Sequence, residues 1–84
     1  MNIDKFRTDI IGAIAAAEEK HPAFPVSFVR MASILTEESG EVCREANKLE
    51  DDHNGDVEDF RIEVIHTICV GYRMLEKLEK MGVK

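Results

Sequence analysis

The chain has 84 residues and a net charge of −6, with 17 acidic against 11 basic side chains. That length sets one domain over residues 1–84. It lets folding bury only about 60–65% of the surface that the unfolded chain exposes, so a metal or a partner subunit is expected to help. The acidic balance argues against nucleic acid, which requires a basic face to displace counterions, and suits a protein that gathers divalent cations. The two cysteines, Cys43 and Cys69, form no C-x-x-C pair, which points to a reducing, cytoplasmic setting. Residues 1–7 are mostly polar with no cleavage-like segment after them. No apolar run approaches the roughly 20 residues that span a bilayer, so no membrane is expected as a partner.

Two breakers, His21-Pro22-Ala23-Phe24-Pro25 and Asp51-Asp52-His53-Asn54-Gly55-Asp56, cut the chain into three segments. None alternates with period two, so the fold class is all-α. The first, shorter helix is predicted over residues 4–20, with Asp4 as N-cap and Phe6, Ile10, Ile11 and Ile14 at helical spacing. Its alanine run, Ala13 and Ala15–Ala17, favours helix and close approach of a neighbour. The second helix is predicted over residues 26–51, on a stripe of Phe28, Met31, Leu35, Val42, Ala46 and Leu49. The third is predicted over residues 56–81, on a stripe of Val57, Phe60, Val64, Ile68, Gly71, Leu75 and Leu78. Lys77, Lys80 and Lys84 suit the C-terminal end of that helix. Short connections make consecutive helices antiparallel neighbours, with the second and third as the long pair. Ile62, Ile65, Cys69 and Tyr72 give the third helix a second apolar stripe. One chain can hardly cover both, so we expect a homodimer or homotetramer whose paired long helices form a four-helix-type bundle.

Several carboxylates interrupt these stripes. At 100° per residue, Glu38 lies about 20° from Met31 and Leu49 and about 40° from Val42, in the middle of the core-facing side. Glu41 lies about 60° to one side, and Glu45 within about 20° two turns on. On the third helix, Glu63 and His66 share a face at i,i+3, and Val70 and Met74 lie within about 20° of Glu63. An unpaired carboxylate in apolar surroundings costs several kcal/mol or takes up a proton. A cation, an arginine partner or water resolves this; among cations, hard divalent ions prefer such oxygen ligands, and Mg²⁺ is commonly held by a few carboxylates with water and phosphate oxygens. Two antiparallel helices, each with an i,i+3 pair, would converge four ligands on one point. Cys69, one turn past His66, offers a thiolate, but no second Cys/His pair supports zinc. The remaining acids, Glu18, Glu19, Glu50, Asp51, Asp52, Asp56, Glu58, Asp59, Glu76 and Glu79, read as solvated helix ends and loop.

The run Ile34-Leu35-Thr36-Glu37-Glu38-Ser39-Gly40-Glu41-Val42, followed by Glu63-Val64-Ile65-His66 with 21 residues between Glu41 and Glu63, resembles the MazG-type all-α nucleoside triphosphate pyrophosphohydrolases. Their signature is E-E-x-x-E and then, some two dozen residues on, E-x-x-D. The resemblance covers residues 28–78. It implies that Glu38, Glu41 and Glu63 ligate Mg²⁺, and that Glu37 and Glu38 are the catalytic carboxylates, with Glu37 binding a second ion or orienting the attacking water. It implies hydrolysis of a nucleoside triphosphate to a monophosphate and pyrophosphate, in dimers or tetramers with sites formed partly across subunits. His66 stands where the family has Asp. A neutral imidazole is a softer ligand than a carboxylate, which shifts the preference toward Mn²⁺ or another transition metal, or frees His66 to touch substrate.

Arg44, Lys48, Arg73 and Lys77 lie on the same two helices and are the candidate phosphate-binding cations; for Arg44 and Lys48 an exposed ion pair with Glu41 and Glu45 is the competing reading. Phe24, Phe28 and Tyr72 are candidate walls for the base. Two other functions remain open on the sequence. One is a non-catalytic helical oligomer that binds a partner or nucleotide through a degenerate site. The other is a carboxylate-bridged di-metal protein, since E-x-x-H on a bundle helix is a ligand pattern of that class and a dimer supplies the second copy.

Overall fold

The computed structural model describes residues 1–51 and 53–83. Asp52 and Lys84, read above as loop and helix end, lie outside the described residues. Three helices and no strands make up these residues: α1 (Ile3–Lys20), α2 (Phe28–Glu50) and α3 (Val57–Lys80).

Local chemistry sets each boundary. The N-cap of α1 is Asn2 rather than Asp4: the Asn2 side chain accepts the Lys5 N–H at 3.0 Å, which starts the helix earlier and leaves Asp4 in the first turn, where the helix dipole favours it. Pro22 ends the helix by forcing His21 out of the helical region, to φ −134° and ψ 76°. Ser27 caps α2, two residues later than the periodicity predicts, by accepting the Arg30 N–H. At its other end the Asn54 and Gly55 N–H groups both donate to the Lys48 carbonyl. Gly55 is packed so closely on Leu49 that a Cβ there would sit 2.8 Å from the Leu49 nitrogen. Asp56 caps α3, with Glu58 and Asp59 in the first turn and Lys77 and Lys80 in the last. Gly82, at φ 80°, closes that end in the left-handed conformation that glycine adopts most easily.

The helix α3 is central. It packs against α2 along the hairpin and against α1 on another side, while α1 and α2 do not pack on each other. This corrects the expectation that consecutive helices are neighbours. Two ties show why: Arg61 on α3 binds Asp9 on α1, and Arg73 donates to the His21 carbonyl just beyond α1. Both pairs are 52 residues apart. So α1 runs parallel to α3, and both run antiparallel to α2.

The result is an open slab of 45 × 31 × 23 Å, with a Cα radius of gyration of 14.3 Å. A compact chain of this length would have a radius of about 12 Å. Met31 and Cys69 are the only buried apolar residues among those described. Phe28, placed in the core by periodicity, is 61% exposed, because α1 does not reach across to cover the start of α2. On α3 the stripe read as primary leaves Val57, Ile68 and Leu75 exposed, and the buried Cys69 belongs to the second stripe. Of the acids read as solvated, those described are exposed, except Glu76, which is half-buried beside Tyr72 and Lys80. No helix among the described residues is long and apolar enough to cross a membrane.

Candidate functional site

The antiparallel α2–α3 pairing brings Glu38 of α2 against Glu63 and His66 of α3. One ligand atom from each lies within 4.8 Å of the other two. Glu38 and Glu63 are half-buried and His66 is exposed, with its Nδ1 3.5 Å from a Glu63 oxygen. No lysine or arginine pairs with either carboxylate among the described residues. Burial pushes the Glu38 carboxyl above the ordinary glutamate range; His66 opposes this, while the charges of Glu63, Glu41 and Glu37 add to it. Ligands on an octahedral ion at about 2.1 Å sit about 3–4 Å apart, so small side-chain movements would close these three around a divalent cation. Two carboxylates and one imidazole suit Mg²⁺ or Mn²⁺, and the imidazole tilts the set toward Mn²⁺.

The other sequence candidates fall around this group. Glu41 is one turn along, half-buried and ion-paired with Arg44 of its own helix, so its carboxylate is not among the three that converge. Glu37 is exposed beside Glu38. Arg44 is exposed and engaged with Glu41. Lys48 is half-buried and holds Glu45 at 3.1 Å. Lys77 is half-buried in the last turn of α3. Glu45 itself is only 7% exposed, and its second oxygen, Oε2, has no partner among the described residues. Arg73 is buried, and its guanidinium lies 4.9 Å from the centre of the Phe24 ring. Cys69 is buried, and burial raises its thiol, which disfavours a thiolate ligand.

Because α1 and α2 stand apart on α3, a cleft of about 710 Å³ opens between them, in the size range of small-molecule sites. Glu38 and His66 line one part of it, and the residues around the α1–α2 connection line the rest. Phe24 lines this cleft, but one face of its ring is occupied by Arg73. Phe28 is exposed, and Tyr72 is 44% exposed with its hydroxyl donating to Glu76, whose charge pushes the phenol above its usual range. Lys20 and Arg30 also line the cleft and were missed by the sequence reading, since nothing in their local pattern separates them from other surface cations.

No family model, curated protein or solved structure matches this chain.

Proposed function

We propose that the chain is a metal-dependent nucleoside triphosphate pyrophosphohydrolase, acting in the cytoplasm as a homodimer or homotetramer. The observation that carries this reading is the convergence of Glu38, Glu63 and His66 from two helices, with no lysine or arginine among the described residues to neutralise the two acids. When bound, Mg²⁺ or Mn²⁺ supplies charge neutralisation on the phosphates and acidifies a coordinated water. Glu38, Glu63 and His66 would hold that ion, with Glu41, now paired with Arg44, as the next carboxylate one turn along α2. Glu37, exposed one residue from Glu38, orients the attacking water and accepts its proton. The water oxygen bonds to the α-phosphorus, the bond from that phosphorus to the bridging oxygen breaks, and pyrophosphate leaves.

Oligomerisation is supported by the uncovered apolar side chains. Phe6, Ile62, Ile68, Tyr72 and Leu75 are each at least 37% exposed, most of them on α3. A second copy placed on that face would complete the bundle that three helices leave open. The test is incubation of the full chain with a panel of nucleoside triphosphates and Mg²⁺ or Mn²⁺, following pyrophosphate. Release that disappears in Glu38→Gln supports the proposal; no release with either metal refutes it. One observation favours a second reading, a nucleotide-binding oligomer without turnover: Glu41 is already paired with Arg44, which leaves three converging ligands instead of four.

A further inference from the structure

The cleft between α1 and α2 has the wrong sign for this chain. The protein carries a net charge of −6, yet the cleft is lined by Lys20, Arg30 and Arg73 with Glu38 as the only carboxylate. Arg73 is the unusual member. It is 8% exposed, its one hydrogen bond goes to the neutral His21 carbonyl, and no carboxylate pairs with it among the described residues. A buried guanidinium without a counter-anion is costly, and an anion in the adjoining space relieves the cost. The His21 carbonyl and the Phe24 ring hold the guanidinium in place from the connection side. Lys20 and Arg30 are exposed and also free of ion pairs among the described residues.

We infer that this end of the cleft binds a pyrophosphate group, with Arg73 as the fixed cation and Lys20 and Arg30 as the mobile ones. The orientation of that group rests on the hydrolase reading. Arg73 lies seven residues beyond His66 on α3, about 10.5 Å along the axis, and Arg30 lies eight residues before Glu38 on α2, about 12 Å. The cations and the metal-ligand residues Glu38 and His66 therefore lie toward opposite ends of one cleft, spanned by a phosphate chain once the side chains of Lys20 and Arg30 reach inward. The end of a triphosphate with the most charge is its β,γ end, and three cations suit it. The nucleoside then points out past Glu38 and His66, and Phe24, with one face covered by Arg73, takes no part in reading the base.

The experiment is calorimetric titration of metal-free full-length protein with inorganic pyrophosphate, at low and moderate salt, with orthophosphate as comparison. Pyrophosphate is expected to bind more tightly than orthophosphate and to weaken with salt. The double variant Lys20→Glu/Arg30→Glu, at exposed positions that leave the helices intact by circular dichroism, weakens it roughly tenfold or more. Glu38→Gln keeps the binding or tightens it, while losing Mn²⁺ binding. No pyrophosphate binding, or binding that the double variant leaves unchanged, overturns the assignment. The two readings fail separately: pyrophosphate binding without nucleotide turnover sinks only the hydrolase, and turnover whose KM ignores both charge reversals sinks only the cleft.

Discussion

Two hollows flank α3, and they differ in kind. Near its start, Phe6 and Ile10 of α1 face Phe60, Val64 and Ile68 across an apolar groove of about 470 Å³, with the Asp9–Arg61 pair at the edge. Near its end, the cleft beside α2 holds Glu38, His66 and three cations. The same central helix thus presents apolar surface at one end and unpaired charge at the other. An apolar groove offers no directional partner and is relieved by another protein surface. Isolated charges call for counter-ions and hydrogen-bonding ligands. The difference teaches that one helix carries two kinds of unsatisfied surface, an apolar groove toward its start and a charged cleft toward its end.

The comparison is broken most directly at the charged end. Glu63→Gln is expected to lower pyrophosphate release by roughly a hundredfold or more while leaving the oligomer intact, as read by steady-state kinetics and light scattering. At the apolar end, Ile68→Asp places a charge in the groove and weakens self-association by roughly two orders of magnitude. Light scattering then gives the 9.5 kDa single chain. An unchanged mass in that variant removes the groove from the interface.

Smaller effects sharpen the contrast. Glu38 has a folded-state value above the ordinary one because it is partly buried. Its ionisation therefore opposes folding once the pH rises through that folded value, and has no effect below the ordinary glutamate value. Glu38→Gln should raise the Tm of metal-free protein at neutral pH and leave it unchanged near pH 4, by calorimetry. Asp9 moves the other way: the Lys5 hydrogen bond holds its carboxyl below the ordinary value, burial opposes this, and Arg61 adds to the lowering. Its contribution is complete above about pH 4 and fades as the pH falls through the lower, folded value. Asp9→Asn should therefore reduce Tm at pH 7 and reduce it less near pH 2–3, with hydrogen exchange rising first in α1.

Helices and the inward direction of Glu38 and Glu63 were legible because period and caps are local. The predicted spans lie within two residues of the observed ones, and the one misplaced cap, Asp4 for Asn2, is a choice between two polar residues that flank Ile3. The placement of α1 was not legible. It depends on Arg61 and Arg73 finding partners 52 residues away, which no periodicity encodes. Lys20 and Arg30 were invisible for the same reason: they matter only because α1 and α2 stand apart with α3 behind them. Periodicity gives Glu45 the direction of Glu38, but not that it lies deeper than Glu38, with an oxygen that has no partner among the described residues.

The tight corner at Gly55 has a reach well beyond the loop. Its lack of a side chain lets the backbone close against Leu49 at the corner where α2 hands over to α3. The gap between Glu38 and Glu63 is measured out from that bend like a calliper from its hinge. A single methyl group added there, with about 9 Å of helix between Val57 and Glu63, would detune the jaws without touching either acid.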